Sequence, residues 1–340
     1  MRAASYQGPR IVALREVPQP EPGPGEVLVR VRACGICGSD LHRYRGGGLG
    51  SGAVPGHEIA GEVAALGPGV RGWEPGTPVA IEPLVTCRAC SLCTRGDYQL
   101  CRRRLLLGVG RDGGLAEYVA VPAYTLFSLP AGLPFPLGAL AEPTAVAVHA
   151  VRLLDVQPGE RVLVQGSGSI GLLTALATRA AGAHVVMTAR YPHQAAAAER
   201  FGVTRVFPAD EAGAKELAAY AAAEPFDAVI ETVGGEADTL VQAPTLVRPG
   251  GRVCVVGIFF QPPRLNAFAT VLNEVRLVGA ATYGRAAGVA DFARAIALVA
   301  AHRDLVSGLI THRFPLAEIA RAYATADDKA SHALKVTVEP

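Results

Sequence analysis

In RVLVQGSGSIG, residues 161–171, an aliphatic run ends in three glycines, Gly166, Gly168 and Gly171, spaced GxGxxG. The run reads as a buried strand and the following SIGLLTALATRAAG as a helix. Glycines in those places allow a tight turn, close approach of the backbone to a pyrophosphate, and close helix packing, with the helix N-terminus facing the phosphates. The spacing alone is weak, but between a strand and a helix it is persuasive. The expected dinucleotide contacts are Gly166, Ser167, Gly168, Ile170 and Gly171.

Working outward, HVVMTAR reads as a strand, QAAAAERFG as a helix, FDAVIETVG as a strand, DTLVQAPTLVRPG as a helix and GRVCVVGIF as a strand. This alternation predicts an α/β fold, a Rossmann-like doubly wound parallel sheet over residues 151–284. Upstream, short β-branched runs such as EVLVRVRA lie between Pro/Gly turns, which predicts a β-rich domain over residues 1–150. The closing SHALKVTVEP is extended and is expected to return to that domain, giving it residues 285–340 as well.

An NAD site carries an acid at the end of the second strand, about 20 residues past the glycines, to bind the ribose 2′-hydroxyl. This chain has Ala189 and Arg190 there. A small residue followed by a guanidinium gives space and a planar charged donor for a 2′-phosphate, so NADP(H) is expected over NAD(H). The competing reading is that Arg190 is a surface charge; His193 either assists the phosphate or faces solvent.

Two metal sites are expected. Cys87, Cys90, Cys93 and Cys101 in TCRACSLCTRGDYQLC have the spacing of a closed, structural zinc site. Cys37 in CGICGSDLH and His57 in PGHEIAGEV supply two ligands of a catalytic zinc, which needs three protein ligands and an open position. Glu58 and Glu142 are both candidates for the third. Asp40 is placed to accept the other ring N–H of His57.

Half of the 340 residues are apolar and 18% are charged, with 39 glycines and 25 prolines, the make-up of a turn-rich globular enzyme of two domains. A net charge of +2 gives no basic field for nucleic acid, and Arg102 to Arg104 read as surface beside the cysteine lobe. No apolar run reaches membrane-spanning length. Seven cysteines, mostly clustered, and no apolar leader after MRAASYQGPR favour a reducing cytoplasm without disulfides.

Together CGICGSDLH, PGHEIAGEV, the cysteine lobe, DGGLAEYVAVP, LAEPTAVAVHA, the glycine fingerprint and THRFPL resemble the zinc-dependent medium-chain alcohol dehydrogenases, nearest the sorbitol and threonine dehydrogenase branch. The resemblance covers nearly the whole chain. It implies a GroES-like catalytic domain built from both chain ends, an inserted cofactor domain, and hydride transfer between NADP(H) and a secondary alcohol or ketone. It also implies that Cys37, His57 and a glutamate hold the catalytic zinc, with Glu58 a direct ligand in the polyol branch and Glu142 on the metal or its water. Ser39 and His42 match the family's proton relay, and TARYPH resembles NADP-preferring members. The resemblance further implies a homodimer or homotetramer joined through cofactor-domain sheets, for which RLVGAATYG is the expected edge strand.

Some residues depart from the polyol branch: Thr282 and Tyr283 stand where sorbitol-type enzymes carry Arg-Tyr, and Arg43, Tyr44 and Arg45 follow His42. A polyol, cyclitol or amino-sugar substrate is expected in place of sorbitol itself. Arg43 and Arg45 either meet a polar substrate group or face solvent beside GGGLGSG, a loop expected to be mobile. The alternatives are a non-catalytic NADPH-binding protein of the same fold, an NAD-dependent threonine- or sorbitol-type dehydrogenase, and a zinc-ribbon nucleic-acid module. The last lacks an aromatic stacking platform.

Overall fold

The computed structural model describes residues 1–47 and 52–340. The expectation of a mobile GGGLGSG loop falls chiefly on residues 48–51, outside the described residues. By its own contacts the chain divides into two units, Met1–Glu142 with Gly284–Pro340, and Pro143–Tyr283. The expected break at residue 150 lies inside the helix Ala141–Leu153, most of which counts with the second unit.

In the second unit six strands form one parallel sheet, in the order Arg205–Pro208, His184–Ala189, Arg161–Gln165, Phe226–Glu231, Val247–Val255, Arg276–Gly279. Chain order reverses between Arg161–Gln165 and Phe226–Glu231, which creates the crevice where such sheets bind ligands. Helices Ser169–Ala180, Pro192–Arg200, Glu211–Ala223, Thr239–Leu246 and Ala267–Leu272 lie in the five crossovers. Leu163, Val186, Phe207, Val229 and Val253 bury the sheet's aliphatic rows. A central parallel strand is covered on both faces, which is why these runs lack polar alternation.

Two of these elements were not expected. The strand Arg205–Pro208 is only four residues long and the helix Glu211–Ala223 is mostly alanine, so neither gives a strong periodic signal. The helix read through DTLVQAPTLVRPG stops at Leu246, and the next strand begins at Val247. RLVG forms the strand Arg276–Gly279 at the end of the sheet.

In the first unit a seven-stranded sheet is built around Glu26–Gly35, which pairs antiparallel with Glu58–Leu66, Tyr118–Pro122 and the C-terminal Lys335–Glu339. The closing strand therefore does return to the first unit, pairing Thr337 with Gly35 and Val338 with Cys34. Val27, Val29, Val31, Ile59, Val79, Ile81, Val119 and Val338 pack its core. Among the described residues no helix is long and apolar enough to cross a membrane.

Candidate active site

Register brings the first cluster together. Gly35 pairs with Glu58 across the sheet, so the corner holding Cys37, the N-cap of the helix Gly38–Arg45, lies beside the head of Glu58–Leu66. Cys37 Sγ, a ring nitrogen of His57 and a carboxylate oxygen of Glu58 all lie within 4.8 Å of one another. His57 and Glu58 are buried. Only glycine fits at position 35, because a Cβ there would stand 1.9 Å from Glu58 Oε2.

Asp40 backs this cluster. Its Oδ2 accepts the Cys37 N–H at 3.0 Å, and its Oδ1 faces His57 Nδ1 at 3.7 Å, beyond hydrogen-bond range. Neither Oδ1 nor Nδ1 has a hydrogen-bond partner among the described residues. Burial alone would push the His57 imidazole down, but Asp40, Cys37 and Glu142 carry it well above its ordinary value. A thiol, an imidazole and buried carboxylates in one place suit a divalent cation by donor type, so these residues fit zinc.

The expected Glu142 is buried on the helix Ala141–Leu153 but is not one of the three clustered ligands. It bears on His57 and Lys335 through its charge. Lys335 was missed by sequence reasoning. Its Nζ donates to Glu58 Oε1 at 2.6 Å, to Glu58 Oε2 at 2.9 Å and to the Ile36 carbonyl at 3.3 Å, all inside the core. A lysine opening a buried KVTV strand was the available signal, since lysine is rarely buried unless paired.

Ser39 and His42 lie three apart on the helix Gly38–Arg45 and therefore share a face. The His42 pKa is lowered by burial and then by the charges of Arg45 and Lys329. Arg45 pairs with Asp327 at 2.6 Å, and Arg43 donates to the Gly108 carbonyl at 3.3 Å.

The four-cysteine lobe is compact. Sulfur separations are 3.5 Å for Cys90–Cys93 and Cys87–Cys101, 3.8 Å for Cys87–Cys93 and 3.9 Å for Cys90–Cys101. A tetrahedron of thiolates about 2.3 Å from zinc has edges of about 3.8 Å, so these residues also fit that ion. The N–H groups of Ala89 and Cys90 help hold the Cys87 thiol at about 5.

In the second unit the glycine turn joins the strand Arg161–Gln165 to the helix Ser169–Ala180. Gly166 has φ +97°, a Cβ on Gly171 would stand 1.9 Å from the Gly166 carbonyl oxygen, and nothing lies within 4 Å of a Cβ on Gly168. Position 168 is therefore open at the N-cap of Ser169–Ala180, and a helix N-terminus of this kind favours an anion. Ser167 is buried, donating from Oγ to the Thr188 carbonyl at 2.6 Å, and Ile170 is half-buried. Ala189 ends its strand buried, and the exposed Arg190 guanidinium lies 5.7 Å from the Tyr191 ring centre. Tyr191 in turn stacks on His193, with 5.6 Å between ring centres.

A parallel sheet with a glycine turn at its reversal point, in one chain with a buried Cys–His–Glu cluster and a four-thiol lobe, defines a zinc-type oxidoreductase. Comparison with known proteins agrees. The chain matches the family Alcohol dehydrogenase GroES-like domain over residues 23–131 and the family Zinc-binding dehydrogenase over residues 169–301. It is 33% identical to a sorbitol dehydrogenase of Halalkalibacterium halodurans, covering 96% of this chain and 95% of that one. It is also 33% identical to an L-threonine 3-dehydrogenase of Deinococcus deserti, covering 95% of each. Among solved structures, a putative zinc-binding dehydrogenase from Sinorhizobium meliloti bound to NADP matches with a TM-score of 0.88 and 32% identity, covering 100% of this chain and 99% of that one. The chain belongs to the zinc-dependent medium-chain alcohol dehydrogenase family, a family of oxidoreductases.

Proposed function

We propose that this chain is an NADP(H)-preferring dehydrogenase of a secondary alcohol, of the polyol, cyclitol or amino-sugar type, with one catalytic and one structural zinc. The observation that carries the reading is the meeting of Cys37, His57 and Glu58 within 4.8 Å beside the Ser39–His42 helix face. Cys37, His57 and either Glu58 or Glu142 hold the catalytic ion, while Cys87, Cys90, Cys93 and Cys101 hold the structural one. When bound, zinc supplies a Lewis acid for the alcohol oxygen and the nicotinamide a hydride acceptor. Asp40, facing His57 Nδ1 at 3.7 Å, acts on the imidazole through its charge. Ser39 takes the hydroxyl proton and His42, kept neutral by its surroundings, passes it towards solvent.

Arg190 with His193 receives the 2′-phosphate in this reading, in keeping with the relative solved with NADP. The sorbitol dehydrogenase relative supports a polyol-like substrate. Exposed Phe268, Val271, Leu272 and Leu277, on and beside the end strand Arg276–Gly279, support a homodimer or homotetramer. A reducing cytoplasm, where clustered thiols stay available to zinc, fits this reading. Metal analysis with NADPH and NADH titration over a panel of polyols and ketones tests the reading. Two zinc ions per chain and NADPH-dependent turnover are expected; a zinc-loaded protein that binds NADPH and turns over nothing in the panel would favour a non-catalytic NADPH-binding protein.

A further inference from the structure

We infer that Glu231 is a positioning residue for the dinucleotide, holding the two chain segments that support the glycine turn; the inference rests on reading Gly166–Gly171 as the pyrophosphate turn. Glu231 is the fully buried last residue of Phe226–Glu231 and is in register with Gln165, the last residue of Arg161–Gln165. These two strands flank the point where the sheet order reverses, and ligands of such sheets sit just outside that point.

One carboxylate oxygen does most of the holding. Glu231 Oε1 accepts the Val233 N–H at 2.8 Å, the Gly234 N–H at 2.9 Å and the Thr239 hydroxyl at 3.0 Å. The Glu231 carbonyl accepts the N–H groups of Val256 at 2.9 Å and Gly257 at 3.1 Å. A single residue thus fixes the exits of two adjacent strands, and Gly235 N–H closes them together on the Ile258 carbonyl at 2.8 Å. Oε2 is buried with no hydrogen-bond partner among the described residues, against Gly257, where a Cβ would stand 2.3 Å away.

A core would be easier to build without this group, because burying a carboxyl is costly and leaving one oxygen unpaired adds to that cost. What the carboxylate secures is the turn beneath the fingerprint. Thr232 Oγ1 donates to the Gln165 carbonyl at 2.7 Å, and it would stand 3.0 Å from a Cβ on Gly171. Val233 Cγ2 would stand 2.8 Å from a Cβ on Gly166. Any shift of residues 232–235 is therefore passed directly to Gly166 and Gly171, though Glu231 itself lies below the turn.

The test uses the full chain with Glu231→Gln, Thr239→Val and Gly257→Ala, reading NADPH affinity by fluorescence titration alongside KM, kcat and the thermal midpoint. Misplacing a binding loop costs affinity steeply, so Glu231→Gln is expected to raise the NADPH Kd and KM about fivefold or more, with kcat at saturation within about twofold. Thr239→Val, which removes one donor from the same carboxylate, is expected to move Kd the same way by a smaller factor; Gly257→Ala, whose Cβ would meet both Glu231 Oε2 at 2.3 Å and the Gly234 backbone N at 2.4 Å, displaces the loop itself and is expected to move Kd as well. If the variants lose thermal stability but keep the wild-type Kd, Glu231 is purely structural and the inference is overturned. If Glu231→Gln does not fold, the other two variants decide by the same measure. If the wild-type chain binds neither NADPH nor NADH, the cofactor reading itself is overturned.

Discussion

Lys335 Nζ lies 2.6 Å and 2.9 Å from the two carboxylate oxygens of Glu58, and both side chains are buried. The pairing joins the first residue of the last strand to the first residue of Glu58–Leu66, so the far C-terminus contributes a charge beside the Cys37–His57–Glu58 cluster. In this arrangement both oxygens of one proposed third ligand are engaged by the lysine. On the proposed reading zinc and Lys335 would compete for Glu58, while Glu142 acts on Lys335 through its charge.

Removing the lysine leaves a buried carboxylate without its partner. Lys335→Met is expected to cost about 3–5 kcal/mol in chelated protein, the range for breaking a buried pair. Zinc would replace the lost cation, so the cost should shrink when the metal is restored. Denaturant titrations with and without zinc check this, and equal losses in both would argue against Glu58 being within reach of the metal.

The Lys335–Glu58 pair also shows where the sequence stops being legible. The Rossmann-like unit was readable because RVLVQ, HVVMT and VCVV each hold a short aliphatic run, two of them followed by a glycine, and a local pattern is enough to specify them. Cys37, His57 and the four thiols could be read from residue type and spacing. Lys335 lies 277 residues from Glu58, and no local pattern announces a contact that only the sheet register creates. The same holds for Glu231, whose role depends on loops from two separate strands.

Arg190 stands exposed at the end of its strand, beside Tyr191 and His193. A charge-assisted hydrogen bond contributes about 1.5–3 kcal/mol, or about 10- to 100-fold in affinity. Arg190→Asp is expected to raise KM for NADPH by such a factor while changing KM for NADH little. Equal changes for both cofactors would remove Arg190 from phosphate recognition.

His42 is held low by burial, Arg45 and Lys329, which keeps it neutral and able to accept a proton at physiological pH. Removing one neighbouring cation raises its pKa. In Lys329→Gln the acid limb of kcat/KM for alcohol oxidation should therefore move to higher pH, with the maximal rate retained. A limb that stays in place in this variant, and in His42→Ala, would assign the titration to another group.

In the cysteine lobe, each sulfur has a neighbour within 3.5–3.9 Å, so losing one thiolate opens the whole knot. Cys101→Ser is expected to reduce zinc from two ions per chain to one and to lower the thermal midpoint. Activity measured well below that midpoint should largely survive, since the proposed chemistry lies at the Cys37–His57–Glu58 cluster. Loss of both ions together, or of turnover without loss of stability, would contradict the division between the sites.

Glu82 directly follows the strand Pro78–Ile81 inside the first unit, where its Oε2 accepts the Tyr98 hydroxyl at 2.9 Å. Burial raises its pKa from 4.5 to about 7, with Asp291 and Glu142 adding to the rise and Tyr98 and Arg285 opposing it. Because the folded state holds this proton more tightly than the unfolded chain, stability falls as pH climbs from the unfolded value through about 7 and then levels off. The span corresponds to at most about 3 kcal/mol. Glu82→Gln keeps an acceptor for Tyr98 and removes the titration, so the drop in stability between about pH 5 and 8 should flatten relative to wild type. Parallel denaturation curves at the two pH values decide it, and an unchanged pH dependence in the variant would mean that another group carries the proton.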